Sequence, residues 1–152
     1  AESKALVDKG AALLLRLFSL PMPVVAASAG HAIAAGALLM LASDTRFGVG
    51  GDAKYGLNET AIGMTLPPFG LQIALCRVSK RHQTQAIIQA SLYDGEGAQR
   101  AGFLDEIVSA EALEQCALAK ATELAELPTE AYAAMKLDVR RDYIDIIAAS
   151  LS

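Results

Sequence analysis

The feature that most constrains this fold is an uncharged stretch, residues 17–43, which prolines and glycines divide into short pieces. Pro21 and Pro23 end any helix that enters it, because proline lacks a backbone N–H and clashes with the preceding turn. Val24–Ser28 begins with β-branched residues and is short and mostly apolar, which is typical of a strand covered on both faces. A glycine-containing turn follows, and then Ala34–Ser43 has the small residues of a closely packed helix. The stretch therefore predicts a strand, a turn and a helix.

A single helix of this length could cross a lipid bilayer. The proline and glycine breaks argue against that interpretation, because a membrane span must satisfy its backbone hydrogen bonds internally. We therefore expect no membrane span. Ala1–Lys4 carries charge and no compact apolar run, unlike a secretory signal, so we expect a cytoplasmic protein.

The remaining pattern alternates helices and strands, which predicts an α/β fold. The expected elements are a helix at 3–19, strands at 45–49 and 53–56, helices at 71–78 and 81–91, a short helix after Gly95, a strand at 106–108, a helix at 110–125 and a last helix ending near residue 151.

Composition limits the function classes. The chain has 152 residues, 53% of them hydrophobic, and a net charge of −4, so it lacks the basic surface that nucleic-acid binding requires. Cys76 and Cys116 are isolated thiols without the spacing of a zinc site or a disulfide framework. We interpret both as small apolar core residues in a reducing compartment, and we expect no metal site.

Two segments have the residue types of an active site. Ala29–Leu39 is a small-residue turn that leads into a helix N-terminus, where backbone N–H groups stabilise negative charge. Tyr55–Gly63 places one carboxylate, Glu59, between apolar stretches, where it could move a proton. From the residues alone, close helix packing is the favoured interpretation of the first segment, and a polar turn is the favoured interpretation of the second.

Three motifs together favour the functional interpretation. Pro23–Ala32, then Ser43–Arg46, then Tyr55–Glu59 resemble the crotonase superfamily, also called the enoyl-CoA hydratase/isomerase family, over Pro21–Val108 and more loosely to the end. The resemblance implies the C-terminal part of a spiral of ββα units that binds acyl-CoA, followed by a helical region for oligomerisation. Residues 1–94 would belong to the spiral, and residues 95–152 would form a mainly helical trimerisation region.

The resemblance also implies a mechanism. Two backbone N–H groups would hold the thioester oxygen as it becomes an enolate, one of them on Ala35, and Glu59 would be the acid/base. Hydratases of the family have a second glutamate at the position of Leu38. A leucine cannot activate water, so the resemblance favours an enoyl-CoA isomerase that moves a 3-enoyl double bond to the 2-position, without metal or redox cofactor.

Several neighbours of these two residues are expected to line the acyl-CoA site. They are His31, Ala34, Gly36, Leu38, Leu66 and Phe69, with Ile62 and Met64 as further apolar candidates. For His31, a backbone hydrogen bond is the favoured interpretation over direct ligand contact. Asp44 and Arg46 are expected to have structural roles, because their counterparts in the family do not face the substrate.

Other possibilities stay open at this stage. Another crotonase reaction, such as hydration or thioester hydrolysis, would need a replacement for Leu38, and a non-catalytic acyl-CoA-binding or assembly protein would need no base. A homotrimer or hexamer is expected, with Leu137, Tyr143, Ile144 and Ile147 as an apolar contact face. Family members have a longer N-terminal part, which supplies the first oxyanion donor, so we expect this chain to contain only part of the site.

Overall fold

The computed structural model describes residues 1–151, in which two small sheets pack against helices. The helices of this part are α1 (Glu2–Ser19), α2 (Ala35–Ala42), α3 (Pro68–Arg77), α4 (Gly95–Ala101), α5 (Leu113–Ala125) and α6 (Thr129–Ser150). The strands are β1 (Val25–Ala27), β2 (Ala32–Ile33), β3 (Thr45–Gly48), β4 (Tyr55–Gly56), β5 (Leu92–Tyr93) and β6 (Glu106–Ile107).

The six strands form two sheets of three strands each. One sheet has the order β1-β3-β6 and is parallel, and the other has the order β2-β4-β5, with β5 antiparallel to β4. Parallel neighbours need a crossover connection, and α2 lies within the connection between β1 and β3. Along the chain, α2 follows β2 after one residue and precedes β3 by two residues.

The core lies among α1, α2, α3 and α6. Phe18, Leu41, Ile73 and Ile147, one from each of these helices, are completely buried. Burying side chains of this size stabilises the fold by about 1.5–3 kcal/mol each. Because Ile147 is buried within the chain, the face predicted for assembly is wrong at this position, where α6 packs on its own fold.

A buried ion cluster holds α6 against the rest of the fold. The Asp44 carboxylate lies 3.0 Å from both Lys136 Nζ and Arg140 Nη1. It also accepts hydrogen bonds from the Tyr132 hydroxyl at 2.6 Å and the Val24 N–H at 3.1 Å. A buried charge needs such partners to offset the loss of water, so Asp44 has the structural role predicted for it.

Arg46 is also structural. Its side chain donates to the carbonyl oxygens of Gly102 and Phe103, and its Nε lies 3.6 Å from the Asp105 carboxylate. Burial first, and then the nearby charge of Arg77, lower the pKa of Arg46 to about 10. These bonds join β3 to the turn before β6.

Some predicted elements need correction. Ala27 in β1 is exposed, so this strand is not covered on both faces; it lies at the edge of its sheet. The helix predicted at 81–91 is instead a 3₁₀ turn, Lys80–His82, followed by a short π-helix, Thr84–Ile88. That segment ends at Ala90, which has a φ of 54° that a continuing helix does not allow.

Two strands were missed, because β2 and β5 have two residues each and are too short to show a period. The two cysteines are free and half-buried, and Cys76 packs against the hydrophobic core as predicted. Within residues 1–151, no helix is both long and apolar enough to cross a membrane. The division at residue 94 stays a prediction; β6, from beyond it, pairs with β3.

Candidate active site

The first part of the site is the turn at the start of α2. Ala34 has φ 56° and ψ −118°, a conformation that residues with a side chain rarely adopt, and Ala35 is the first helical residue. The first N–H groups of a helix have no acceptor within the helix. Ala35 is exposed, so its N–H lies at the positive end of the helix dipole and close to solvent.

Strand pairing brings the second segment to this turn. In the parallel pair of β2 and β4, Ala32 lies opposite Tyr55 and Ile33 lies opposite Gly56. The N–H of Ala34 then donates to the carbonyl oxygen of Gly56 at 3.0 Å. The turn predicted to hold the oxyanion and the segment carrying Glu59 are therefore neighbours.

Glu59 begins the turn that follows β4. Its carbonyl oxygen accepts the N–H groups of Ile62 at 3.1 Å and Met64 at 2.9 Å, which close the turn. In the described part of the chain, Glu59 Oε2 is buried and has no hydrogen-bond partner, and the same holds for Asn58 Oδ1. Buried polar atoms without a partner are rare and call for an explanation. A carboxylate oxygen that is buried and unpaired is available to accept a proton.

An apolar wall lies at the start of α3. A Cβ on Gly70 would lie 3.2 Å from both Leu38 Cδ1 and Leu66 Cδ2, so these two leucines meet over Gly70. Leu38 is 4% exposed and Phe69 is 9% exposed. Leu38, at the position where the resemblance implies a second glutamate in hydratases, is therefore buried among hydrocarbon groups in this chain.

Not every predicted residue is placed against this wall. Ile62 is 62% exposed and Met64 is 58% exposed, so the expectation that they form an apolar enclosure is wrong for this chain as described. His31 is exposed, and its Nδ1 accepts the Lys54 N–H at 2.9 Å, which is the backbone bond favoured for it. Gly36 lies in the first turn of α2. A Cβ added at this position would lie 3.9 Å from Ala32 Cβ.

The sequence reasoning missed the need for glycine at position 56. Gly56 has φ 156°, and a Cβ there would lie 2.8 Å from the Ser91 carbonyl oxygen. Only glycine allows β4 to approach this backbone so closely. The glycine was visible in the sequence, but β5, the partner strand that requires it, was not.

Within the described residues, no group of three or more His, Cys, Asp or Glu side chains is placed to hold a metal ion.

The chain is similar to known proteins in both sequence and fold. The family model for enoyl-CoA hydratase/isomerase matches residues 1–151. A probable enoyl-CoA hydratase of Mycobacterium avium is 33% identical over 123 residues, which cover 80% of this chain and 47% of that protein. A crystal structure of an enoyl-CoA hydratase/isomerase family protein from Pseudomonas syringae is 41% identical, with a TM-score of 0.94, covering 99% of this chain and 66% of that one.

A Mycobacterium tuberculosis protein is similar at 40% identity and a TM-score of 0.91, over 95% of this chain. One crystal structure describes it as a probable enoyl-CoA hydratase and another as an enoyl-CoA isomerase; the match covers 61% and 64% of those chains.

The fold is that of a crotonase. The chain belongs to the enoyl-CoA hydratase/isomerase family. It spans about half the length of the curated relative from Mycobacterium avium that it matches.

Proposed function

We propose that the protein is an acyl-CoA isomerase that moves the double bond of a 3-enoyl-CoA to the 2-position, with Glu59 as its single acid/base. The observation that carries this proposal is the buried, unpartnered Glu59 Oε2. Glu59 follows β4, and the Gly56 carbonyl oxygen of that strand accepts the Ala34 N–H of the turn before α2. In a glutamate with only a structural role, a buried carboxylate oxygen would normally have a hydrogen-bond partner.

The proposed reaction has two proton transfers. The Glu59 carboxylate takes a proton from the carbon between the thioester carbonyl and the double bond. The electron pair moves onto the thioester oxygen, where the Ala35 N–H donates to the enolate, and removing such a donor typically costs about 10²–10³ in rate. The Glu59 carboxylic acid then returns the proton two carbons further along, which gives the conjugated product and restores the carboxylate.

Leu38 supports isomerisation over hydration. Adding water to a double bond requires a group that positions and deprotonates that water. At Leu38 the chain offers only hydrocarbon, packed against Gly70 and Leu66. A dry wall also protects the enolate from a proton exchange with water. The relatives are named as both hydratases and isomerases, so this argument rests on Leu38 alone.

The proposal extends to the ligand and the assembly. His31, Ala34, Gly36, Leu66 and Phe69 are the proposed substrate contacts, and the chemistry calls for no metal or redox cofactor. We propose a cytoplasmic homotrimer or hexamer that acts in fatty-acid breakdown. The exposed apolar side chains Leu118 and Ile146 on the last two helices support the assembly, because they would be covered in it.

The test is to incubate the purified protein with a 3-enoyl-CoA and to follow the ultraviolet absorbance of the conjugated thioester. Mass spectrometry of the product distinguishes isomerisation from hydration, which adds one water. A product of unchanged mass with a 2,3 double bond supports the proposal. A hydrated product, released coenzyme A, or tight acyl-CoA binding without turnover would replace it with hydration, hydrolysis or a binding role.

A further inference from the structure

A concave site lies over the charged cluster of Asp44, Lys136 and Arg140, between α3 and α6. It is a groove of about 480 Å³, within the size range of small-molecule sites. Its floor is formed by Asp44, Arg77, Tyr132, Lys136 and Arg140. Its walls are apolar: Leu127, Pro128, Ala131, Met135 and Val139. None of the residues assigned to the active site above belongs to this groove.

The floor has more positive than negative charge. Arg77, Lys136 and Arg140 provide three cations, and Asp44 is the one carboxylate among the groove-lining residues. Asp44 is already shared by Lys136 and Arg140 at 3.0 Å each. Arg77 instead donates to backbone carbonyl oxygens, including that of Asp44 at 3.0 Å, and has no carboxylate of its own there.

The excess positive charge among these side chains is unfavourable. Burial is the main cause that lowers the pKa of Arg77, and the charge of Arg140 lowers it further. The pKa of Lys136 is lowered mainly by burial as well, and both arginines add to this against the opposite effect of Asp44. A second anion in the groove would reduce this repulsion, because interactions between charges are strong away from bulk water.

The walls determine what kind of anion fits. Met135 is 60% exposed and Val139 is 67% exposed, so both present hydrocarbon to solvent at the rim of the groove. An inorganic anion would leave this surface uncovered, whereas an alkyl chain would cover it. We propose that the groove binds an aliphatic carboxylate, with the carboxylate toward Arg77 and Arg140 and the chain along Met135 and Val139.

Calorimetric titration with three probes tests this proposal on the intact chain in a carboxylate-free buffer. Octanoate carries both features, acetate carries only the charge, and octanol carries only the chain. We expect octanoate to bind at least about tenfold more tightly than either of the others, since two favourable contributions act together. Octanol binding as tightly as octanoate, or no octanoate binding, would overturn the proposal.

A pair of variants locates the binding. Val139→Glu puts a carboxylate at the groove rim, and Leu6→Glu makes the same charge change on the exposed side of α1, where Leu6 is 73% exposed. We expect Val139→Glu to weaken octanoate binding about tenfold by repulsion, and Leu6→Glu to leave it unchanged. Equal affinities in the two variants would place octanoate elsewhere and contradict the proposal. A third outcome would also overturn the proposal: the parent protein does not bind octanoate, and Val139→Glu has a lower mass than the parent by light scattering. The groove would then be a contact site for a protein partner.

Discussion

The backbone N–H of Ala34 donates a 3.0 Å hydrogen bond to the carbonyl oxygen of Gly56. This bond joins the turn that begins α2 to the strand that leads to Glu59. The two segments proposed to share the catalytic work, the N-terminal turn of α2 and the segment that carries Glu59, are therefore joined through their backbones.

Ala34→Gly should stabilise the protein. Ala34 has φ 56° and ψ −118°, a strained conformation whose relief by glycine stabilises the folded protein by about 1–3 kcal/mol. Glycine also has more conformational freedom than alanine in the unfolded chain, which offsets about 0.5–1 kcal/mol of this gain. We expect a higher free energy of unfolding in urea. As a control, Ala119→Gly in the exposed part of α5 should lower it by about 1 kcal/mol. A loss of stability in both variants would mean that Ala34 is not strained.

Gly70→Ala should change the preference for acyl chain length. The added Cβ would lie 3.2 Å from both Leu38 and Leu66, so the leucines must shift and the space beside them becomes smaller. We expect KM to rise more for long 3-enoyl-CoA substrates than for short ones. Gly10→Ala, where a Cβ meets nothing within 4 Å, is the control. Equal effects on all chain lengths would separate this wall from the acyl group.

Asp44→Asn should destabilise the fold strongly. The change leaves the buried Lys136 and Arg140 without their carboxylate, and breaking a buried pair typically costs about 3–5 kcal/mol. Urea unfolding measures the loss. Asp138→Asn removes an exposed carboxylate from Arg141 on the same helix and should leave the stability unchanged. Similar values for the two variants would show that the Asp44 cluster contributes little.

Tyr132→Phe should alter how stability depends on pH. Burial, and then the hydrogen bond to Asp44, raise the pKa of Tyr132 above its ordinary value of 10.0. The folded protein therefore holds the phenol proton more tightly than the unfolded chain. This contribution to stability is complete below pH 10 and is lost as the pH rises further. The stability advantage of the parent over Tyr132→Phe should thus shrink above about pH 10. An advantage that stays constant to higher pH would contradict the raised pKa.

Local sequence signals predicted much of the fold. The prolines, the turn glycines and the long apolar periods place α1, α2, β3 and α6 within a few residues of their observed bounds. Helix–strand order was predictable because each signal acts over a few neighbouring residues. The π-helix at Thr84–Ile88 was not, since its pattern is also that of an ordinary helix.

The site was predictable only in part. Glu59 and Ala35 were found through a family resemblance, because their own residue types also suit a plain turn and a plain helix start. Their proximity depends on β2 and β4, strands of two residues each. The Asp44–Tyr132 bond joins residues 88 positions apart. Contacts at that distance along the chain leave no periodic signal, and neither does the burial of one carboxylate oxygen.

The central claim is that Glu59 is the single acid/base. Its most direct test compares the rate of 3-enoyl-CoA isomerisation for the parent protein, Glu59→Gln and Glu130→Gln, the last an exposed glutamate on α6 as control. Glutamine keeps the shape of the side chain but cannot carry the proton. We therefore expect Glu59→Gln to lower kcat by at least about 10²-fold and to retain acyl-CoA binding. Glu130→Gln should have the kcat of the parent protein. Isomerisation by Glu59→Gln at the parent rate would contradict the account.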